Sequence, residues 1–318
     1  MFGLRCVGVS LAFFLTQYCL LSVLVGRAWP WLARLARTRR PLSLANYLLA
    51  LRLLPLAVAF ASTIIFVIPS FLLLEPHTSK EEVGLDPTVL SLCCLALVAF
   101  GLRRALRAQA QSTRVVAEWL REATPFAHES FGEYPVFEIR PALPALTVAG
   151  VREPRVLVSR AAASLLEARE MRTALQHEVA HIRHRDNLKK LFFNFTAFPG
   201  MSGLESAWSD AGEFAADDAA VKTASDALDL ASALIKLSRL GPITDAPELA
   251  TALVEGQNAI LNSRVERLLA WQQDAAVQAP ERLPWFVIGA GIAFTIGLIA
   301  SYSAVLERMH DVTEWLVR

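Results

Sequence analysis

Long uncharged stretches fill much of the first hundred residues and return near the end of the chain. Residues 6–25, 53–74 and 283–306 contain no charged side chain over 20, 22 and 24 positions. As helices, which rise about 1.5 Å per residue, each can cross a bilayer core of about 30 Å. Residues 85–102 reach a similar length if Asp86 lies at the interface. The pattern therefore predicts four transmembrane helices.

The charges between these stretches predict an orientation. Residues 27–40 contain five arginines and no acid, and residues 103–114 contain four more arginines. Residues 75–86 instead hold four acids against one lysine. Basic loops stay in the cytoplasm, so we expect both arginine-rich segments on the cytoplasmic side of a bacterial-type inner membrane. A net charge of +1 excludes nucleic acid as the main partner.

The chain is thus divided into a membrane part, residues 1–102, a cytoplasmic domain, residues 103–282, and residues 283–318, with the fourth helix and a short extracytoplasmic tail. In the cytoplasmic domain, short β-branched segments predict strands at residues 136–139, 145–148 and 156–159. From Ala161 onward the apolar spacing is helical. The predicted fold class is α+β, mainly α, with one small sheet.

Two further segments could lie next to the membrane, and each has two possible placements. Residues 105–122 are helical and arginine-rich, and they either continue the third span or lie on the lipid headgroups. Residues 191–204 are apolar, but with Pro199 and Gly200 among only fourteen positions they are too short to span. We expect this second segment to pack in a core or to lie at the membrane interface.

Residues 177–181 read His-Glu-Val-Ala-His. Side chains four positions apart project from the same face of a helix, so His177 and His181 can share one metal ion, for which Zn²⁺ is the expected identity. Glu178 is placed to take a proton from water rather than to bind the metal. The alternative is an exposed helix on which two histidines flank an acid.

A catalytic zinc site takes a third protein ligand, and three downstream residues are candidates. On one continuous helix, Asp186 would face away from His177, and His184 would lie too far along the axis. Glu213 belongs to a separate helical stretch, and Asp217 follows it one turn later on the same face. Such a pair can ligate with one carboxylate and orient a histidine with the other. A solvated acidic face is the alternative.

Three segments carry a family resemblance: AGVREPRVLVS at residues 149–159, HEVAHIRHRDN at residues 177–187, and EFAADD at residues 213–218. Together they resemble the BlaR/MecR family of membrane metallopeptidases, which is similar to the wider gluzincin group, where a downstream Glu completes H-E-x-x-H. The likeness covers about residues 144–269, including SRVERLL at residues 263–269. The four-span layout agrees with it.

The resemblance implies a zincin-like metallopeptidase domain that faces the cytoplasm between membrane spans. It implies His177 and His181 as histidine ligands, Glu178 as general base, Glu213 as third ligand and Asp217 as a supporting acid. The implied partner is a protein substrate, with a transcriptional repressor as one candidate.

One difference from the family concerns the end of the chain. The best-known members carry an extracellular penicillin-binding sensor after the last span, whereas twelve residues, 307–318, follow it here. We therefore do not carry over β-lactam sensing. HtpX-type and CAAX-processing membrane peptidases also share H-E-x-x-H and E-x-x-x-D, and they are the alternative family for quality control or processing of membrane proteins.

Two further site predictions have open alternatives. Arg264 opens a family-like segment and is the candidate to stabilise an oxyanion, whereas an ordinary surface charge on a helix is the other interpretation. Val156, Leu157 and Val158 could pair with the backbone of an extended substrate, since peptidases often bind substrates by strand addition. The alternative for these three residues is an internal strand.

Small residues recur every four positions in the last predicted span: Gly289, Ala293, Gly297 and Ser301. This spacing allows close helix packing, either within the bundle or in a homodimer. Functions of other classes are a non-catalytic membrane receptor that retains the site and a transporter or channel. The absence of charges in the long apolar stretches disfavours transport.

Overall fold

The computed structural model describes residues 2–35, 39–75, 84–126, 134–140, 145–196, 198–240, 250–252, 258–271 and 301–317. The helices of the first part are α1 (Phe2–Leu35), α2 (Pro41–Ser62), α3 (Ile68–Leu74) and α4 (Leu85–Leu120), with a π-helical turn, Thr63–Val67, between α2 and α3. The later helices are α5 (Arg160–Leu165), α6 (Ala168–His184), α7 (Asp186–Phe195), α8 (Ser202–Ala220), α9 (Ala224–Ser238), α10 (Asn258–Leu269) and α11 (Tyr302–Val317).

Three helical segments are long and apolar enough to cross a membrane: α1, the continuous run from α2 to α3, and α4. The chain is therefore a membrane protein, and the three predicted spans in residues 1–102 coincide with these helices. The third span continues without a break to Leu120, so the helix predicted at residues 105–122 is its extension. Most of the predicted fourth span, residues 283–300, lies outside the described residues.

Side-chain hydroxyl groups form hydrogen bonds with backbone carbonyls in and beside the π-helical turn of the second span. Thr63 Oγ1 donates to Ala59 O at 2.7 Å, and the Tyr302 hydroxyl donates to Ile65 O at 2.9 Å. A π-turn leaves backbone carbonyls without their usual helical partners, and an apolar surrounding makes an unpaired carbonyl costly. Tyr302 thereby attaches the start of α11 to the second half of the second span.

The five strands form one mixed sheet: β1 (Thr124–Pro125), β2 (Val136–Ile139), β3 (Leu146–Ala149), β4 (Arg155–Ser159) and β5 (Ala250–Ala252). Their order is β1-β2-β4-β3-β5, with β2 and β4 parallel and every other pair antiparallel. Three strands lie within one residue of the predicted bounds. The outer strands β1 and β5 were not predicted, because two or three residues are too few to show an alternating pattern.

The central position of β4 corrects one site prediction. Val156 pairs with Val136 on one side and with Val148 on the other, and Leu157 and Val158 are likewise paired on both sides. All three side chains are fully buried. Because no free backbone edge remains, the prediction that these three residues receive a substrate strand is wrong, and the internal-strand interpretation is right.

The sheet is covered on both faces. Val148, Val156 and Val158 pack in a core with side chains of α6, α9 and α10. The other face, with Leu157, packs against the far end of α4 through Trp119. The extension of the third span therefore covers one face of the sheet, and the sheet and the membrane helices meet directly.

Helix α8 packs on the membrane helices, and these contacts hold it in position. Its first turns and the end of α7 bury Phe193, Leu204 and Trp208 against α1 and α2. Within residues 191–204, Phe193, Met201 and Leu204 therefore pack in a core, as one of the two alternatives predicted, whereas Phe192 is exposed. Arg52 of α2, 1% exposed, donates from Nε to Glu205 Oε1 at 2.8 Å and from Nη2 to Thr196 O at 2.7 Å.

The contact between α4 and α7 leads to a stability prediction. A Cβ atom at Gly101 would lie 2.1 Å from the Phe195 carbonyl oxygen, so Gly101→Ala must push the two helices apart. We expect a loss of about 1–3 kcal/mol in the free energy of unfolding. The matched control is Gly8→Ala in α1, where the nearest atom is Ser91 Oγ at an ordinary 3.7 Å. Thermal unfolding in detergent measures both, and equal stability of the two variants would contradict the prediction.

Candidate metal centre

Helix α6 carries the H-E-x-x-H motif into the interior of the molecule. His177 and Glu178 are fully buried and His181 is 3% exposed, so the exposed-helix interpretation of the motif is wrong. The helix begins with a capping box in which the Glu170 carboxylate accepts from the Glu167 backbone N–H at 2.8 Å. The same carboxylate accepts from Lys236 Nζ of α9 at 2.7 Å, and this contact holds the start of α6 in place.

Three candidate ligands come together where α6 faces α8. His177 Nε2 and His181 Nε2 lie 3.1 Å apart. Glu213 of α8 places Oε2 3.5 Å from the His177 nitrogen and Oε1 3.5 Å from the His181 nitrogen. Two donors bound at about 2.0–2.1 Å to a tetrahedral ion are about 3.3 Å apart, so this triangle has the size of a metal site. The three residues form a buried group that could hold a metal ion.

A carboxylate lies against the outer nitrogen of each histidine. Asp217 Oδ1 lies 2.9 Å from His177 Nδ1, which is the orienting position predicted for Asp217. Asp186 Oδ2 lies 2.8 Å from His181 Nδ1. Such contacts fix the ring orientation and leave the other nitrogen free to bind a metal.

The position of Asp186 corrects the assumption of one continuous helix. Helix α6 ends at His184, and Arg185 adopts a left-handed conformation with φ 57° and ψ 40°. This conformation costs a non-glycine residue about 1–2 kcal/mol. The turn redirects the chain, so Asp186 at the start of α7 points back to His181. The Asp-Asn pair at residues 186–187, which is typical of helix starts, is the sequence signal that would have found this break.

Arg264 of α10 is 1% exposed, which excludes the surface-charge interpretation. Its Nε and Nη2 donate to the two oxygens of Asp217 at 2.9 and 2.7 Å, and Nη1 donates to Glu213 Oε2 at 2.7 Å. Arg264 therefore holds the carboxylates of Glu213 and Asp217 in place. Its contact with an oxyanion stays a prediction.

The buried charges shift one another's pKa values strongly. Burial raises the pKa of Glu213, but the Arg264 guanidinium and the neighbouring histidines outweigh it and lower the pKa to about 2. The pKa of Asp217 is lowered for the same reason, and that of Arg264 is raised. Burial lowers the pKa of His177, yet hydrogen bonding to Asp217 and Glu213 raises it to about 9. In the absence of a metal, the site holds a proton on His177 that a metal ion must displace.

Glu178 differs from the other acids of this site because its carboxylate has no hydrogen-bond partner. Both of its carboxylate oxygens are buried without a hydrogen bond. Burial raises its pKa to about 7, although the neighbouring histidines oppose the shift. A buried carboxylate without a donor is costly to the fold and points to a chemical role. Together with two imidazoles and a carboxylate in ligand positions, it fits a site for a divalent cation.

A cleft of about 320 Å³ opens beside His181. One wall is the turn between β3 and β4, and the other is the corner between α6 and α7. Asn187 connects the walls, because its Nδ2 donates to Val148 O at 3.3 Å and to Gly150 O at 3.1 Å. His181 and Asp186 also line this cleft, so a ligand bound there would contact one of the three candidate metal ligands.

Comparisons of the chain with protein-family models and with curated protein sequences give no match. The arrangement of the site's own residues is therefore the basis for inferring what it can bind. His177, His181 and Glu213 form a buried group that could hold a metal ion, Asp186 and Asp217 orient the histidines, and an unpaired acid lies beside them.

The role of Asp186 generates the first prediction about this site. Asp186→Asn keeps all three ligands but weakens the hydrogen-bond acceptor of His181, so we expect Zn²⁺ affinity to fall by about 10–100-fold. Asp229→Asn on α9 removes an equal charge elsewhere and serves as the control. Competition with a fluorescent zinc chelator measures both variants, and unchanged affinity in Asp186→Asn would exclude the orienting role.

The pKa of Glu178 generates a second prediction, for chelator-treated, metal-free protein. Its folded-state pKa of about 7 lies above the ordinary 4.5, so ionisation costs stability as the pH rises from about 4.5 through 7. We expect Glu178→Gln to be more stable than the native chain at pH 8 by about 1–3 kcal/mol, with the difference shrinking toward pH 4.5. Chemical unfolding followed by tryptophan fluorescence measures this difference. A constant difference across the pH range would contradict the shift.

Proposed function

We propose that the protein is an integral-membrane zinc endopeptidase. The observation that carries the proposal is the buried triangle of His177, His181 and Glu213 with the unpaired carboxylate of Glu178 beside it. Two histidines and a glutamate are the ligand set of several zinc peptidases, and such sites leave one position open. The nitrogen-rich donor set favours Zn²⁺ over Mg²⁺ or Ca²⁺, which prefer oxygen ligands.

Each residue of the site has a defined task in this proposal. Bound zinc would supply Lewis-acid activation of a water molecule and of the scissile carbonyl. Glu178 takes the proton from the attacking water and passes it to the leaving amine. Its position one residue after His177, with no hydrogen-bond donor on either carboxylate oxygen, leaves it available to accept and release a proton.

The surrounding residues keep the ligands in place. Asp217 and Asp186 hold the rings of His177 and His181. Arg264 compensates the charge of the two buried acids on α8. Without this guanidinium, the carboxylate of Asp217 would repel that of Glu213. Tight fixation matters because misplacement of a reacting group by about 1 Å costs roughly a hundredfold in rate.

The distribution of arginines supports a cytoplasmic position for the metal centre in an inner membrane. The arginines of residues 27–40 lie in the last turns of α1 and in the segment before α2, and the first half of α2 packs on α8. The metal centre therefore lies at the arginine-rich end of the bundle, which is the end that stays in the cytoplasm. Tyr302 and the start of α11 pack against the second span at Ile65 and Phe66, toward the opposite end.

The proposed substrate is a protein, either a transcriptional repressor or regulator, as the BlaR/MecR resemblance implies, or a membrane protein. A receptor without catalysis is less well supported. A buried, unpaired Glu178 lowers the stability of the fold, and a receptor would gain nothing from retaining it.

Glu178→Gln tests the proposal. The amide cannot take a proton from water, so we expect zinc to remain bound while proteolysis falls by at least about a hundredfold. Purified protein with casein measures the rate, and comparative proteomics of cells identifies the fragment that disappears. The control, Glu118→Gln on the exposed surface of α4, should cleave as the native chain does. Undiminished proteolysis in a zinc-loaded Glu178→Gln protein would refute the general-base assignment.

A further inference from the structure

The cleft beside His181 carries an uncompensated positive charge. Arg152 lies on the wall formed by the β3–β4 turn, and Arg185 lies on the opposite wall at the α6–α7 corner. Both side chains are exposed, and within the described part of the chain neither forms an ion pair. Two guanidinium groups therefore face one cleft, and no carboxylate among the residues that the structure describes pairs with them.

The acids near the cleft are already engaged elsewhere. Asp186 lies against His181 at 2.8 Å and accepts from Lys189 Nζ at 3.0 Å. Glu153, beside Arg152 in the turn, pairs with Arg155 at 3.2 Å. The positive charge of the cleft is thus available to a ligand, and the ligand's own acidic group is its natural counter-ion.

The backbone of Arg185 gives an independent indication that its side chain is used. Arg185 is the only non-glycine residue with a positive φ among those the structure describes. Helix ends with this left-handed geometry favour glycine, which adopts it without strain. An arginine at such a position disfavours the fold locally, so an observed strain of this kind next to a site points to a function of the side chain.

Arg152 is presented by a turn with a fixed shape. Gly150 has φ 98°, and a Cβ atom there would lie 2.6 Å from Glu153 O. Asn187, buried between the walls, holds the turn to the α6–α7 corner through Gly150 O. The distance between the two arginine-bearing walls is thereby set by the fold itself, as a preorganised binding site requires.

Apolar groups line the rest of the cleft, among them Val151, Pro154, Ile182 and Leu188. We propose that this cleft binds the segment of a protein substrate next to the cleaved bond and selects segments in which an acidic side chain accompanies an apolar one. Arg152 and Arg185 are the specificity-determining residues. The inference rests on the proposed peptidase function, since His181, a candidate zinc ligand, lines the cleft.

The test uses the zinc-loaded full chain in detergent and three sets of fluorogenic decapeptides. The sets share their apolar residues and carry Glu, Gln or Lys at every polar position, so no cleavage register needs to be known. We expect kcat/KM for the Glu set to exceed that for the Gln set by about three- to tenfold, with the Lys set lowest. The preference should decline at an ionic strength of about 0.5 M, where exposed charges are screened.

Two substitutions and a control assign the preference to the cleft. Arg152→Gln and Arg185→Gly should each reduce the Glu-to-Gln ratio, and the double variant should bring it to about one. Arg183→Gln removes a similar exposed charge outside the cleft and should keep the native ratio. Arg185→Gly should also raise the melting temperature, because glycine relieves the left-handed strain. A purely structural Arg185 would show the gain in stability without a change in the ratio, which would overturn its role.

The outcomes separate this inference from the proposed function. Cleavage of all three sets at equal rates would overturn the cleft inference and leave the peptidase proposal standing. If zinc-loaded native protein cleaves none of them, the peptidase proposal fails, and fluorescence anisotropy with the same labelled peptides then tests the cleft alone. Tighter binding of the Glu set that is lost in the double variant supports the cleft, and equal binding of the three sets overturns it.

Discussion

The candidate metal site depends on the buried contact between Arg264 and the two carboxylates of α8. Glu213 and Asp217 lie one turn apart on the same face of that helix, and both are removed from water. Two buried carboxylates repel each other, and neither would stay ionised alone. The guanidinium donates to both and keeps them charged. Glu213 is then available as a ligand, and Asp217 is available to hold His177.

The membrane helices share in building this site. Helix α8 is placed by its contact with α2, where Arg52 is buried against Glu205 and Thr196. Helix α7, which begins with Asp186, lies close to α4 at Gly101. The two elements that bring carboxylates to the histidines are therefore both packed on membrane-spanning helices. In this fold, the helices that carry the candidate metal ligands and the membrane-spanning helices pack on one another.

Patterns of a few adjacent residues predicted several parts of the fold and site. The three apolar stretches in residues 1–102 are helices, β2, β3 and β4 lie within one residue of expectation, and the H-E-x-x-H motif lies on a helix. Two predictions that depended on how separate segments pack together were wrong. The exposed edge expected for β4 is paired on both sides, and Asp186 was excluded by a continuous helix that in fact ends at His184.

The sequence by itself determined which segments are apolar enough for a membrane and which residues can share a helix face, because both depend on spacing along the chain. It also named His177, His181 and Glu213 as candidate ligands. Only the tertiary structure decided that these three side chains meet, that Arg264 is buried against the acids, and that Asp186 turns back to His181. Those contacts join residues from separate helices, and their distances follow from the packing of α6, α7, α8 and α10.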